Sequence, residues 1–205
     1  VRVTDNKGGT GDCEFNIEVI EAGNPPEADF RVIESSPTEG RKVHFDASDS
    51  SDEEDSTDEL IIRWDFNGDG TWEIDFSANK RASEVVSHVY SLAGSITVVV
   101  EVKDSQGLIS RKEKQIQINL APPQSLYLES FSDNEITIVW NDMSTSEDSY
   151  RVSLNDNPLA QLPANTENHT FELDKSATQT ISVYCTKGAM ESNKTELVIG
   201  MNLSE

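Results

Sequence analysis

The segment Asp65-Phe66-Asn67-Gly68-Asp69-Gly70-Thr71-Trp72-Glu73 carries oxygen donors at alternate positions and glycines where a chain must turn sharply. The side chains of Asp65, Asn67 and Asp69, the carbonyl of Thr71 and the carboxylate of Glu73 have a D-x-N-x-D-G-x-x-E spacing. Oxygens at that spacing can wrap a hard cation such as calcium. An EF-hand is excluded, because its twelfth position would be a bidentate Glu and here it is Phe76, with no helical pattern on either side. Further ligands are expected from Ser51-Asp52-Glu53-Glu54-Asp55, just before the strand that bears Trp64, with Asp52 and Asp55 the first choices. Between Asp46 and Asp75 there are 12 acids, and Arg63 is the only base. The competing reading is a solvated acidic loop, which is what a charge run usually means. Regular spacing and the glycines favour calcium, since crowded carboxylates repel one another without a cation. The expected ion is structural and clamps two loops.

The whole chain shares this acidity. Its 205 residues hold 38 acids against 16 bases, a formal charge of -22. Nucleic acid and anionic membranes both require a basic footprint, so neither is expected as a partner. No apolar run approaches the ~20 residues that span a bilayer. The opening Val1-Arg2-Val3-Thr4-Asp5 does not resemble a signal peptide, so the chain reads as an excised piece whose targeting signal lay upstream. Cys13 and Cys185 are too few and too distant for a disulfide framework; each is expected to pack as a small apolar side chain in a strand.

No enzyme is expected. The chain has no phosphate-binding glycine loop, G-x-S-x-G elbow or Cys/His zinc spacing. His44, between Val43 and Phe45, is expected to point outward, and His169 to sit in a polar loop. Composition allows a glycosidase-type carboxylate pair, but small sandwiches offer little concave volume for a cleft.

The elements that must position these residues are strands. Helical periodicity is nearly absent, and short alternating stretches lie between Gly, Pro, Asn, Asp and Ser. They include Glu14–Val19, Lys42–Phe45, Ser95–Val102, Gln115–Ile118, Ile136–Trp140, Tyr150–Val152 and Ile181–Cys185. Many short strands at this spacing predict an all-β chain of tandem, immunoglobulin-like antiparallel β-sandwiches. An internal repeat sharpens the prediction. Val1-Arg2-Val3-Thr4-Asp5-Asn6-Lys7-Gly8 and Val100-Glu101-Val102-Lys103-Asp104-Ser105-Gln106-Gly107 share V-x-V-x-D-x-x-G, and proline pairs follow at Pro25-Pro26 and Pro122-Pro123. Each repeat reads as the last hairpin of a sandwich, with the prolines opening the next module. The expected division is a hairpin of a preceding module over 1–23, a sandwich over 24–119, a second over 120–200 and a tail over 201–205. A lone hairpin is marginal in water, so the first must lean on a neighbour.

The middle module carries Asn24-Pro25-Pro26-Glu27-Ala28, Phe45-Asp46-Ala47-Ser48, Trp64-Asp65-Phe66-Asn67-Gly68-Asp69-Gly70, His88-Val89-Tyr90 and the Val100–Gly107 segment. In that order it resembles the polycystic kidney disease (PKD) domain, and the first hairpin resembles the end of another. The resemblance makes His88 a hydrogen-bonded structural residue. Trp64 reads as a core residue between two sheets, and Trp72, in a polar Gly-rich loop, as a lid over the sandwich edge.

Pro122–Leu126, Ile136–Trp140, Tyr150–Val152, Leu173 and Ile181–Cys185 resemble a fibronectin type III domain, with Trp140 as its core tryptophan. That family's corner tyrosine would fall at Gln179, so its hydrogen-bonded corner is expected to be missing. Asn168-His169-Thr170, Asn193-Lys194-Thr195 and Asn202-Leu203-Ser204 are glycosylation-type sequons that matter only in a eukaryotic secretory pathway. Together the resemblances imply a non-catalytic spacer and adhesion segment, extracellular or on the cell surface. Its implied partners are other domains of the same chain and protein or polysaccharide at that surface. The alternative is an accessory carbohydrate-binding region of an extracellular hydrolase, for which Trp72 is the candidate platform.

Overall fold

The computed structural model describes residues 1–14, 16, 23–132, 135–174 and 177–200. They form sixteen strands, every strand pairing is antiparallel, and no helix occurs among them. The expected strand over Glu14–Val19 lies outside the described residues except for Glu14 and Asn16.

A two-stranded hairpin comes first, β1 (Arg2–Thr4) with β2 (Thr10–Asp12). The middle module pairs β3 (Arg31–Val32), β4 (Lys42–Asp46) and β6 (Val85–Val89) in one sheet. Its second sheet holds β5 (Ile61–Asp65), β7 (Gly94–Lys103) and β8 (Ile109–Ile118), in the order β5-β7-β8. The chain then returns along the free edge of β5. Trp64 and Ile74 exchange both backbone hydrogen bonds, at 2.8 and 3.3 Å, and Ala82 N donates to Leu60 O at 2.9 Å. Period-two alternation sends Ile62, Trp64, Val98, Val100 and Val102 inward against Phe30, Val43 and Phe45.

The last module pairs β9 (Gln124–Phe131), β10 (Glu135–Asn141) and β13 (Asn168–Glu172) in the order β13-β10-β9. Facing it are β11 (Ser149–Leu154), β12 (Asn157–Pro163), β14 (Gln179–Lys187), β15 (Met190–Glu191) and β16 (Thr195–Ile199), where β14 carries both β15 and β16 on one edge. Trp140 is buried against Tyr150, ring centroids 5.6 Å apart. The corner expected to be missing is present in another form. Buried Gln179 donates from Nε2 to the Asp174 carbonyl at 3.2 Å and accepts from Asn155 Nδ2. An amide therefore makes the backward bond to the chain that a tyrosine hydroxyl makes in related sandwiches. Two further expectations are corrected. Cys185 is a core residue of β14, but Cys13 is exposed and lies outside a strand. His169 belongs to β13 rather than a loop, and stacks on Phe171 at 5.7 Å.

The two copies of V-x-V-x-D-x-x-G form the same hairpin. Thr4 faces Thr10 and Val3 faces Gly11; Lys103 faces Ile109 and Val102 faces Ser110, the same register 99 positions later. Asp5 N donates to Gly9 O at 2.9 Å, and Asp104 N to Leu108 O at 3.1 Å. Each aspartate also accepts from the N–H four residues on, at 2.8 Å in both turns. Gly8 and Gly107 both turn with positive φ, +83° and +91°.

Candidate functional site

The loop leaving β5 is a series of side-chain-to-backbone turns. Asp65, only 1% exposed, accepts the N–H of Asn67 at 3.2 Å and of Gly68 at 2.7 Å on Oδ1, and of Gly70 at 2.8 Å on Oδ2. Asn67 Oδ1 accepts Asp69 N at 2.9 Å, and Asp69 Oδ1 accepts Thr71 N at 2.7 Å. Glu73 closes the ring by accepting Phe66 N at 2.8 Å. Alternate Asp and Asn satisfy backbone donors in this way as readily as they bind a cation. Gly68 is required twice over: its φ is +72°, and a Cβ there would meet the Thr97 carbonyl at 3.0 Å. Hydrogen bonds from Thr71 N–H and Asn67 hold the Asp69 carboxyl below its ordinary range.

Asp52 and Asp55 do not join this loop. Asp55 accepts Ser105 N at 2.6 Å and Ser105 Oγ at 2.9 Å, just beyond Lys103, which pairs with Ile61 at the start of β5. Asp65 ends the same strand, facing Val99. At about 3.3 Å per residue, β5 holds the two acidic regions roughly 13 Å apart. Hence Asp52, Asp55, Asp65, Asn67, Asp69, Thr71 and Glu73 are not gathered around one point. Among the described residues no group of three or more His, Cys, Asp or Glu is disposed to hold a metal ion.

The Asp52 pole keeps one open requirement. Asp52 Oδ1 accepts Glu54 N at 2.9 Å and Asp55 N at 2.8 Å, while Oδ2 is buried without a partner. It borders an open pocket lined by Asn24, Pro25, Glu27, Ser51 and Glu53. Burial, then the charges of Asp52 and Glu53, push the neighbouring Glu54 carboxyl up.

The aromatic marks have packing roles. Trp64 is fully buried, edge-on to Phe30 at 5.2 Å and stacked on Phe66 at 5.6 Å. His88 stacks on Phe66 at 4.7 Å, and Tyr90 donates its hydroxyl to the Phe66 carbonyl at 2.9 Å, so both grip the W-D-F strand end. Burial pushes the His88 pKa down, although Glu73 opposes the shift, and pushes that of the Tyr90 phenol up. His44 lies half-exposed beside Glu34, Nδ1 to Oε1 at 2.5 Å. Trp72 is half-buried with the Arg63 guanidinium 4.0 Å from its ring centre, and Arg63 in turn is bound to Glu101. One ring face is thus occupied by a neighbouring cation, as a lid would be.

Sequence reasoning missed Glu39. It sits in the turn before β4, 1% exposed, with each carboxylate oxygen accepting two hydrogen bonds. No motif marks it, and its donors are scattered from Ala93 to Ser146.

Two four-or-more-stranded antiparallel sandwiches with separate cores define a tandem immunoglobulin-like β-sandwich protein. Residues 23–119 match the PKD domain family; this segment is a PKD domain, and the sandwich after it is fibronectin type III-like. Among solved structures, a two-domain fibronectin type III segment from chicken tenascin is similar over 86% of this chain and 99% of that one, at 15% identity and a TM-score of 0.61. That likeness is one of fold. The PKD1 domain of Vibrio anguillarum Epp is similar at 23% identity over 47% of this chain and 96% of that one, with a TM-score of 0.35. The Clostridium perfringens spore cortex lytic enzyme SleM is similar at 21% identity and a TM-score of 0.37, over 41% of this chain and 29% of the enzyme. No curated protein sequence matches the chain.

Proposed function

We propose that this chain is a non-catalytic spacer and adhesion segment of a larger extracellular or surface-anchored protein. The observation that carries the reading is the end-to-end connection: a PKD core and a fibronectin-like core meet across the short Asn119–Pro123 link, whose Leu120 and Ala121 are buried. Domains of these two kinds are commonly extracellular and typically non-catalytic. No helix among the described residues is long and apolar enough to cross a membrane. In this reading residues 1–23 are the final hairpin of a preceding PKD-like sandwich, supported by their shared register and turn with β7–β8. Neighbouring domains of the same chain, and protein or polysaccharide at the cell surface, are the partners; a charge of -22 argues against nucleic acid.

Calcium stabilisation is the finer part of this proposal. Its support is the single unpartnered oxygen Asp52 Oδ2, which borders a pocket also lined by Glu27 and Glu53. A cation binding only the folded state stabilises it by mass action, about 2.7 kcal/mol at 100 times its Kd. Melting of the 205-residue chain in millimolar calcium and in chelator tests this. A rise of several degrees with calcium, absent in Asp52→Asn, is expected. Identical melting in both conditions would remove calcium from the proposal.

A further inference from the structure

We propose that Glu39 is the latch that locks the PKD module and the fibronectin-like module into one rigid body, a role separate from any ligand the chain binds. The residue belongs to the first module: its own N–H donates to Asn119 O at 3.0 Å, and the next N–H, of Gly40, to Tyr90 O at 2.8 Å. Its carboxylate reaches across the joint. Oε1 accepts Ala121 N at 3.1 Å and Ser144 Oγ at 2.6 Å; Oε2 accepts Ala93 N at 3.0 Å and Ser146 Oγ at 2.6 Å. One buried anion thus ties together the β6–β7 turn of the first module, the link, and the β10–β11 loop of the second.

Burying a carboxylate costs several kcal/mol unless donors replace its water, so geometry that removes a donor leaves the charge exposed to that cost. Here every donor is neutral, and two of the four come from the second module. Swinging that module away would strip Ser144 and Ser146 from a buried charge, and this makes the joint two-state rather than a loose tether. Other contacts also cross the joint. Thr145 Oγ1 donates to Ser91 O at 2.6 Å, Lys187 Nζ to Ala93 O at 2.8 Å, and Ala93 and Leu120 pack into the second core.

Of the ionisable groups on the packed elements, the Cys185 thiol of β14 feels the Glu39 charge, Lys187 of the same strand bonds the Ala93 carbonyl, and Asp142 of the β10–β11 loop accepts Ser144 N. Burial pushes the Glu39 carboxyl up, but the hydrogen bonds from Ser144, Ser146, Ala121 and Ala93 outweigh it and leave the group below its ordinary range. The anion is therefore retained at neutral pH. Because the folded pKa is the lower one, the latch contribution is fully present above the ordinary carboxylate range and is lost only as pH falls through the folded pKa.

The test is residual dipolar coupling of backbone amides in the full chain, which gives one alignment tensor per rigid body. The wild type is expected to fit one tensor across both modules. Glu39→Gln keeps the volume but loses the anion, and Ser144→Ala/Ser146→Ala removes only the donors of the second module; both are expected to give two tensors differing in size and orientation. Couplings within each core report that the modules remain folded. Two tensors already in the wild type, or a single tensor persisting in both variants, would overturn the proposal.

Discussion

The hairpins β1–β2 and β7–β8 share turn, register and sequence pattern, yet one is covered and the other is not. Val100 and Val102 are 0% exposed, packed by β5 and the opposite sheet; Val1 and Val3 are 70% and 65% exposed. The difference teaches where the stability of such a hairpin comes from. Asp/Gly turn chemistry suffices to set its shape, because the aspartate caps its own backbone donors and glycine supplies the positive φ. Its stability comes from the neighbours that bury the valines. Val3 on β1 and Val1 just before it lie open where their sequence twins Val102 and Val100 are core residues, and this contrast is what supports the proposal that the first hairpin belongs to a preceding sandwich.

Substitution at matched positions breaks the comparison most strongly at the valines. Val100→Ala or Val102→Ala should destabilise the PKD module by about 2–3 kcal/mol through lost burial and the cavity left behind. Val3→Ala should change stability by less than about 0.5 kcal/mol, as at an exposed site. Urea unfolding of each variant measures both; similar losses at Val3 and Val102 would mean that the first hairpin is already packed.

A smaller effect is expected at the glycines. Neither Gly8 nor Gly107 has an atom within 4 Å of a Cβ, so alanine there meets only the left-handed backbone penalty. Gly107→Ala should cost roughly 1–2 kcal/mol of module stability. Gly8→Ala should leave the unfolding transition in place and show only as faster hydrogen exchange at Lys7 and Gly9.

How much of this could be read in advance depended on how local the cause was. Strands with strict alternation, such as Ile136–Trp140 and Ile181–Cys185, were legible because period two leaves few choices, and the repeat marked a hairpin that recurs in the structure. Trp64 and Trp140 were legible as core residues. The Asp65–Glu73 loop was legible as a tight oxygen-rich turn, but spacing alone does not distinguish oxygens that accept backbone N–H groups from oxygens that bind a cation. Placing Asp52 and Asp55 beside it overlooked topology: they precede β5 and the loop follows it, so the strand separates them. Gln179 was read as a lost corner because the expectation was tied to a phenol, whereas its amide also bonds an upstream backbone carbonyl, that of Asp174. Glu39 left no trace in sequence, since its four donors come from positions 93, 121, 144 and 146 and only the fold assembles them.

The central claim, that these are sandwich modules joined end to end as a spacer, is tested most directly by pulling the chain from its two termini in a single-molecule force experiment. The expected record has two cooperative unfolding steps. Their contour lengths should be roughly 330 and 280 Å, from chain extending at about 3.5 Å per residue over 24–119 and 120–200. No resisting step is expected from residues 1–23. A single step spanning both modules, or gradual extension without steps, would contradict the claim.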